Sequence, residues 1–471
     1  MKKFTFKRQL LFVMLMLLGC LSIQAADDGL ITNQVVINLD WSGTLPQKIS
    51  ASDKYRITNL KVKGDINGTD LGFLREMAGQ SINGIDETNG KLSTLDLSDT
   101  KIVGGGEPYF NYGGYETYFT EYNKIGKYAF CSCNNLKRLT LPKDITSIEQ
   151  SAFFGCSGLT SITIPSSVTA IGKWSFYDCS SLTSIELPNS TTTIDESAFW
   201  YCSGLTSVDL PSSITKMGEC VFYWCKNLSS VKLPSEITAI SNSAFGGCIS
   251  LKNIELPAGI TSIGDNAFTG CSNLQNINLP SGITTIGSGA FWDCSNLTNV
   301  ILPSALTSIG NIAFVNCSNL ANVTLSSNIT SIGSSAFSGC KSLKNLTISK
   351  DVTSIKDIRF NNDYDDLELE SVYVAWQNPI EAGSFFNRIK ISNCTLYVPQ
   401  GTKEAYANAD VWKDFGNIIE YDATGIDKVT NRSDVKEISR YSLNGQRVTS
   451  PTKGVNIVVY SDGSIKKVVV Q

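Results

Sequence analysis

Residues 260–282 read ITSIGDNAFTGCSNLQNINLPSG, and close copies of this stretch follow one another at an interval of 23 residues. The interval is clearest in a column of ten cysteines: Cys133, Cys156, Cys179, Cys202, Cys225, Cys248, Cys271, Cys294, Cys317 and Cys340. A fixed period of about 20–50 residues is the signature of stacked copies of one supersecondary unit. The cysteine column therefore predicts a solenoid, and a solenoid offers a surface for contact more often than a vessel for chemistry.

Each copy has the pattern of a short strand followed by turns. In the copy above, residues 274–279 have the form L-x-x-I-x-L, which alternates at its end as a strand with one buried face does. Pro280 then ends the strand, because it cannot donate to a sheet ladder, and Gly264 permits a tight turn. Phe268, three residues before Cys271, fits a single helical turn that buries the ring. One unit cannot bury its own apolar face, so we expect the copies to stack at about 4.8 Å per unit.

The pattern L-x-x-I-x-L-P-x-x-I-T-x-I-G-x-x-A-F-x-x-C resembles the BspA-like class of bacterial leucine-rich repeats across residues 123–356. The resemblance implies a repeat solenoid, a curved leucine-rich repeat array with a parallel β-sheet on one face and short helical turns. It also implies a cell-surface or secreted protein that adheres to host matrix proteins or other cells. The periodicity alone indicates a scaffold and names no ligand.

The composition narrows the possible functions. The chain of 471 residues has a formal net charge of −4 and no histidine. Ser-His-Asp catalysis, Cys-His catalysis and histidine-ligated zinc are therefore excluded. No Lys/Arg cluster occurs outside the extreme N-terminus, so nucleic-acid binding lacks the basic surface that it needs. We predict a non-enzymatic protein without catalytic residues, cofactor or metal. A glycan-processing enzyme would need paired carboxylates, and spacing singles out no pair.

Residues 1–25 have the pattern of an export signal. Its basic first part contains Lys2, Lys3, Lys7 and Arg8. An apolar run at 10–18 follows, which is too short for a comfortable membrane span, and Ala25 offers a cleavage point. The sequence LLGC at 17–20 also resembles the box before a lipidated cysteine, so lipidation of Cys20 is the alternative to simple cleavage. Either route predicts an exported protein, at the cell surface (outer membrane) or secreted.

The flanks of the regular repeats predict caps, a linker and a terminal module. We predict an N-terminal cap with irregular leucine-rich repeats at 26–122, which contains a loop at 104–122, and then the regular repeats at 123–356. A C-terminal cap follows at 357–421, with helix-like spacing at 403–418. The chain then continues as a linker at 422–434 and a small all-β module at 435–471. Asn-Gly and Asp-Gly turn pairs separate the strand-like runs of this last module. It is similar to C-terminal sorting or anchoring domains of surface proteins in Gram-negative anaerobes, and a plain β-hairpin appendage is the alternative.

Residues 65–76 invite comparison with a calcium-binding loop. Oxygen donors fall at the ligand positions Asp65, Asn67, Thr69 and Glu76. The calcium loop needs glycine at its sixth place, where this chain has Asp70, and the glycine here stands at the fourth. We therefore favour a turn followed by a helix over about 71–78, capped by Thr69 or Asp70.

Candidate binding residues lie just after the repeated phenylalanine. That place holds aromatic residues in four successive units, and the next place holds an aromatic in two of them. The resulting candidates, after Phe154 in the first of these units, are Tyr177, Trp200, Tyr201, Tyr223 and Trp224. Later units have Gly246 or Ser338 there, so the fold does not require an aromatic. Rings about 4.8 Å apart would form a ridge for sugar rings or a partner's apolar patch. The alternative is that the rings pack on one another and bind nothing.

The outward positions of the predicted sheet indicate no particular ligand. They are mainly Thr, Ser and Asn, with sparse charges of both signs such as Glu186 and Lys232. The leading interpretation is an interaction protein whose partner is an extracellular protein or a glycan. Membrane contact is expected only through a lipid on Cys20 or through the C-terminal module. The alternative is a structural spacer that presents the terminal modules.

The cysteine column is predicted to be reduced. Stacked neighbours about 4.8 Å apart lie within the distance that a disulfide allows. Bonded pairs would nevertheless tighten alternate interfaces and break the regular repeat, whereas buried free cysteine behaves as a small apolar residue. Cys131 and Cys220 lie off the column and are the better candidates for reactive chemistry.

Overall fold

The chain folds as a parallel β-solenoid in which each unit pairs with its counterpart 23 residues further along. The computed structural model describes residues 29–325, 328–350, 352–355, 360 and 368–421, and the backbone of four strands within 437–470. Strand partners in the array occupy equivalent positions, as Asn276 with Asn299 and Ile277 with Val300. The predicted solenoid is therefore confirmed. The predicted export signal with Cys20 and the predicted linker lie outside the described residues.

The first sheet contains the strands predicted from the L-x-x-I-x-L pattern. Its first part joins Val35–Asn38, Asn59–Ile66, Thr94–Ile102, Arg138–Thr140 and Ser161–Thr163. A parallel bridge from Ser184 to Ser207 leads to the paired strands Ser207–Asp209 and Ser230–Lys232. Its last part joins Asn253–Ile254, Asn276–Ile277, Asn299–Val300, Asn322–Leu325, Asn345–Ile348, Ser371–Val374, Thr395–Pro399 and Asn417–Tyr421. The buried apolar residues of these strands form one wall of the core.

A second parallel sheet, which the sequence did not predict, follows the I-T-x-I-G part of the units. Its strands have two residues each: Lys124–Ile125, Ser147–Ile148, Ala170–Ile171, Thr193–Ile194 and Lys216–Met217, then Ala239–Ile240, Ser262–Ile263, Thr285–Ile286, Ser308–Ile309 and Ser331–Ile332. Each strand buries its second residue, such as Ile263. Alternation cannot be read over two residues, so the sequence pattern did not reveal this sheet.

A corner of successive turns, which we call the turn corner, replaces the helical turn expected around each phenylalanine. In one unit Asn266 and Gly270 have φ of 53° and 68°, on either side of Phe268. The N–H groups of these three residues donate to the next unit at 2.7–2.8 Å. Those of Thr269 and Cys271 donate to carbonyls three residues back within the unit. A helix needs right-handed backbone throughout and bonds within its own segment. Here left-handed residues stand on either side of the phenylalanine, and their N–H groups point to the next unit. These hydrogen bonds tie each turn corner to the next one.

The core behind the turn corner is a continuous column of phenylalanines. From Phe130 to Phe360 successive rings stack with centroids 4.7–5.7 Å apart. Phe199, Phe222 and Phe245 have no exposed surface. A stacked aromatic pair adds about 0.5–1.5 kcal/mol beyond the burial of its area. Each phenylalanine therefore stabilises two interfaces, one with the unit before it and one with the unit after it.

The cysteine column is buried and free, as predicted. In nine units the thiol donates to the carbonyl of the phenylalanine 26 residues earlier, at 2.9–3.2 Å; Cys248 and Phe222 are one such pair, at 3.2 Å. Burial raises the pKa of these thiols, to about 12 for Cys271. Off the column, Cys131 is buried and Cys220 is half-buried. Cys220 is therefore the more accessible of the two thiols proposed for reactive chemistry.

The helix predicted in the N-terminal flank begins three residues earlier than expected, at Gly68–Met77, after a short helix at Leu45–Lys48. Its cap is Asn67 and neither Thr69 nor Asp70: the Asn67 Oδ1 accepts from the Thr69 N–H at 3.0 Å. The Asp70 carboxylate accepts in return from the Asn67 N–H at 3.0 Å and so closes a capping box. The side-chain oxygens of Asn67 and Asp70 thus hold the helix start.

The segment 104–122, expected as a loop, forms a β-hairpin. Gly105–Tyr112 pairs antiparallel with Glu116–Thr120. Gly113 and Gly114 supply the positive φ that the connecting turn requires, 54° and 84°. The correction follows from that turn, because two adjacent glycines allow a reversal short enough to pair the flanking strands.

The C-terminal flank closes the array with a cluster of large side chains. Here the expected helical stretch is divided into an α-helix, Lys403–Ala407, and a 3₁₀ turn, Trp412–Asp414; another 3₁₀ turn is Ile391–Asn393. The buried Trp412 ring lies 5.3 Å from that of Phe386 and 5.5 Å from that of Tyr406. These rings cover the last apolar layer.

Four strands near the C-terminus pair antiparallel: Glu437–Ser442, Arg447–Val448, Gly454–Tyr460 and Ile465–Val470. A sorting or anchoring role for them stays a prediction. In the described part of the chain, no helix has both the length and the apolar character needed to cross a membrane.

Candidate binding surface at the turn corner

The structure brings all five candidate binding residues together on the turn corners of three consecutive units. We call this set the aromatic surface: Tyr177, Trp200, Tyr201, Tyr223 and Trp224. Ring centroids are 5.8 Å apart for Tyr177 and Trp200, 4.8 Å for Trp200 and Tyr223, and 6.0 Å for Tyr201 and Trp224. Tyr201 is 37% exposed and the other four side chains are half-buried. The surface is therefore continuous and reachable from solvent.

The regular stacking of rings ends within this surface. Phe154 and Tyr177 stack almost parallel, with centroids 4.6 Å apart and planes 3° apart, so they cover one another's faces. Trp200 is tilted by 41° from Tyr177, and Tyr223 stands at 68° to Trp200. Beyond that pair the rings leave the parallel stack and pack on one another in tilted and edge-to-face contacts. The contacts alone therefore fit both the binding surface and the alternative of rings that only pack on one another.

Two residues of the aromatic surface occupy backbone positions that do not suit them. Tyr201 and Trp224 both have φ of 60°. In the other units the same place has a positive φ too and is held by small or Asx residues: Ser132, Gly155, Asp178, Gly247, Gly270, Asp293, Asn316 and Gly339. Left-handed backbone costs a residue with a bulky side chain about 1–2 kcal/mol. The fold therefore places these two rings against a backbone preference that the neighbouring units respect.

The backbone beneath the rings is tied to the next unit. The Tyr201 N–H donates to the Tyr223 carbonyl at 2.9 Å, and the Trp224 N–H donates to the Gly246 carbonyl at 2.7 Å. A Cβ on Gly246 would lie 2.6 Å from Tyr223 Cε2, and one on Gly247 would lie 3.1 Å from the Trp224 ring. Gly246 and Gly247 thus leave room for the Tyr223 and Trp224 rings to lie over the backbone of the unit that contains the two glycines.

Polar groups border the aromatic surface. Asp178 precedes Tyr201 by one unit in the same left-handed column, with φ of 53°. Burial raises the pKa of the Asp178 carboxyl, and a hydrogen bond with Ser180 opposes that rise. At the far end the Lys226 Nζ lies 4.7 Å from the centre of the Trp224 ring. The surface therefore has an acidic group at one end and a cation–π contact at the other.

The Trp200 side chain carries a further polar cost. Its Nε1 is buried and has no hydrogen-bond partner among the described residues. A buried donor without a partner costs about 1–3 kcal/mol. The left-handed Tyr201 and Trp224 and this indole thus place three local costs in one surface.

Sequence reasoning placed Trp174 near the candidates along the chain and missed the contributions of Asp178 and Gly247. Trp174 also has left-handed backbone, φ 56°, and the Lys173 Nζ lies 4.3 Å from its ring centre. Asp178 and Gly247 border the rings as described above. Comparison of residue types down each column would have revealed these positions. In the column of Tyr201 and Trp224, glycine, aspartate, asparagine and serine fill the other places, which is typical of left-handed backbone.

An open cavity lies elsewhere, against the second sheet. It has a volume of about 410 Å³, and its lining includes Gly287, Gly310 and Gly333 with Asp265 and Asn311. No residue of the aromatic surface lines it. Within the described residues, no group of three or more acidic or cysteine side chains is placed to hold a metal ion.

The stacked units, their leucine and isoleucine columns and the two parallel sheets define a leucine-rich repeat protein. The family model described as the BspA type leucine rich repeat region (6 copies) matches residues 123–252 and 238–365, which together make up more than half of the chain. The chain therefore belongs to this family, as the resemblance in its sequence predicted.

Several solved structures of bacterial leucine-rich repeat proteins are similar to this chain. One from Bacteroides ovatus has 23% identity over 65% of this chain and 89% of that chain, with a TM-score of 0.47. A leucine rich cell surface protein from Faecalibacterium prausnitzii has 29% identity over 65% and 84%, with a TM-score of 0.39. The pneumococcal vaccine antigen PcpA has 18% identity over 72% and 87%, with a TM-score of 0.40. No curated protein sequence matches the chain.

Proposed function

We propose that this protein is a non-enzymatic interaction protein, exported to the cell surface or secreted, that binds an extracellular partner through the aromatic surface. Its family supports an interaction role, and one similar structure is described as a cell surface protein. The export pattern of residues 1–25 supports the location.

One observation carries the proposal: Tyr201 and Trp224 stand at left-handed positions that other units give to glycine, aspartate, asparagine or serine. Strained backbone persists where the surroundings over-determine it, and it clusters at ligand contacts. The rings also have the composition that binding surfaces favour, because Tyr and Trp are enriched at the centres of interfaces. A folding requirement does not explain them, since Gly247 and Gly270 serve the same place in the next units.

The experiment compares the wild-type chain with Tyr201→Gly/Trp224→Gly on arrays of extracellular-matrix proteins and polysaccharides. Glycine is the residue that Gly247 provides at this place, so the backbone is preserved. The matched control is Trp292→Ala, because Trp292 occupies the same place after the phenylalanine as Trp200, is 39% exposed and lies outside the surface. We expect the double variant to lose the captured partner and the control to retain it. Equal capture by all three proteins would refute the proposal.

The second candidate function is a structural spacer, which the threonine column beside the second sheet favours. The Thr261 hydroxyl donates to the Thr238 carbonyl at 3.1 Å, and the Thr284 hydroxyl donates to the Thr261 carbonyl at 3.2 Å. These exposed hydroxyls use their donors on the solenoid itself, so that side is specialised for rigidity. If the protein is a spacer, the double glycine variant should give the same result as wild type in every binding assay. This outcome separates the two functions.

A further inference from the structure

Resting on the proposed function, the geometry points to a neutral carbohydrate chain as the ligand of the aromatic surface. Its sugar rings would lie on Tyr201, the most exposed of the five rings, beside Trp224, and the Asp178 carboxylate would accept from the hydroxyl groups of the sugar. Size, hydrogen-bonding character and charge each support this ligand.

The aromatic surface is small and narrow. Three consecutive units extend about 10 Å along the axis at the strand spacing of about 4.8 Å. The places two residues after Asp178, Tyr201 and Trp224 hold Ser180, Ser203 and Lys226, and the Gly246-Gly247 pair ends the surface in the next unit. A stable protein partner covers about 800 Å² with 20–30 residues on each side. The continuous aromatic area thus suits a linear chain of a few rings better than the core of a protein interface.

The polar group beside the rings favours a ligand that donates hydrogen bonds. Asp178 is half-buried beside the rings, and an ionised carboxylate only accepts. Asp178 directly follows Tyr177, so the carboxylate and the Tyr177 hydroxyl belong to neighbouring residues. Sugar hydroxyls donate and accept, so they satisfy both groups while the carbon–hydrogen face of the sugar lies on the aromatic rings. A proline-rich peptide, the other ligand that aromatic surfaces take, has no N–H at its prolines, so it offers the Asp178 carboxylate fewer donors than a sugar does.

The charges around the surface favour a neutral ligand. Lys173 pairs with Glu196, Nζ to carboxylate oxygen at 2.8 Å, and its ammonium also lies over the Trp174 ring. Lys226 lies over Trp224. An acidic polysaccharide would need a cluster of cations to hold its carboxylates or sulfates. Here one of the two lysines is paired with a carboxylate, and Asp178 would repel an anionic chain.

The backbone bonds beneath the rings reduce the ordering that binding requires. Because Tyr201 and Trp224 are each tied by an N–H donor to the next unit, their backbone is ordered before the ligand arrives. Preorganisation of this kind improves affinity by lowering the entropy lost on association. A short, weakly interacting sugar chain benefits most from such a platform.

The test is isothermal titration calorimetry of the exported chain with neutral hexasaccharides of β-glucan, α-glucan, mannan, xylan and N-acetylglucosamine, with decaproline as the peptide arm. We expect at least one hexasaccharide to bind, and Trp224→Gly to weaken it about tenfold or more. Asp178→Asn should weaken it severalfold, because an amide keeps one acceptor and tolerates the left-handed backbone. The matched controls, Asp293→Asn in the same column at φ 58° and Trp292→Ala, should bind as wild type does.

Two results would overturn the inference: no hexasaccharide binds, or Trp224→Gly binds the saccharide as tightly as wild type. If saccharides fail while decaproline or a matrix protein binds in a Trp224-dependent way, the carbohydrate inference falls and the proposed function stands. If no probe binds in a Trp224-dependent way, both fall.

Discussion

Replacement of Cys248 tests whether the cysteine column holds the units together through its thiol hydrogen bonds. Cys248 is fully buried, and its Sγ lies 3.2 Å from the Phe222 carbonyl oxygen of the preceding unit. That oxygen also accepts from the Cys225 N–H at 3.2 Å. A hydroxyl at position 248 would face the same acceptor. Serine and alanine at this site therefore separate the donor role of the thiol from its apolar bulk.

The expected magnitudes follow from these contacts. Cys248→Ala removes an apolar group the size of a methylene, about 0.8 kcal/mol of transfer free energy, and leaves a small cavity. It also removes a hydrogen bond of about 0.5–1.5 kcal/mol, so we expect a loss of about 2 kcal/mol in the free energy of unfolding. Cys248→Ser buries a hydroxyl, which costs about 1–3 kcal/mol without a partner and much less when it donates to Phe222.

The account predicts that the serine and alanine variants unfold within about 1 kcal/mol of each other. The assay is urea unfolding followed by circular dichroism, with both variants in one unit so that the interfaces with neighbouring units match. Cys220→Ser is the control: Ser197 and Ser243 hold the same left-handed place, so we expect less than about 0.5 kcal/mol of change. If the serine variant is less stable than the alanine variant by 2 kcal/mol or more, the side chain at position 248 has no hydrogen-bond acceptor, and the proposed role of the thiol is wrong.

Two further predictions concern pH and the glycines beside the rings. Burial raises the pKa of the Cys271 thiol to about 12 from the ordinary 9.0. Above about pH 9 the native thiol therefore keeps a proton that the unfolded thiol loses. The free energy of unfolding, steady below pH 8, should fall from about pH 9 towards pH 12 by about 1.4 kcal/mol per pH unit for each such thiol. Urea midpoints that stay constant to pH 10 would disprove this. Gly247 has a φ of 72° and lies against Trp224, so Gly247→Ala should lower the free energy of unfolding by about 1 kcal/mol and weaken partner binding. Gly259 has a normal φ, and an added Cβ would make no contact under 3.4 Å, so Gly259→Ala should change neither.

The sequence predicted the solenoid because its period is carried by buried side chains. Phe268, Cys271 and Leu274 are buried and each packs against the equivalent residue of the next unit. Few residue types fit these places, so the 23-residue interval is visible in the sequence. The second sheet was missed because each of its strands contributes only two residues, as in Ser262–Ile263. The helical turn was predicted wrongly because Ala-Phe-x-x-Cys spacing fits both a helix and a run of turns. The left-handed positions on either side of the phenylalanine decide between them.

The aromatic surface was predictable in membership and not in orientation. Equal spacing along the chain already placed the five residues in neighbouring units, and the structure brings them together. The tilt of Trp200 and Tyr223 depends on contacts with side chains and glycines of adjacent units, including the space at Gly246. Such contacts are not visible in the spacing of residues. The strain at Tyr201 and Trp224 likewise needs the backbone angles.

The central claim is that Tyr201 and Trp224 serve binding and not folding. Its most direct test is the urea midpoint of Tyr201→Gly/Trp224→Gly against wild type. Glycine relieves about 1–2 kcal/mol of left-handed strain at each of the two sites and forfeits four aromatic contacts of about 0.5–1.5 kcal/mol each. The account predicts a free energy of unfolding within about 1 kcal/mol of wild type. A loss of 3 kcal/mol or more, the size expected for removing a core phenylalanine, would mean that the rings hold the solenoid together and would contradict the claim.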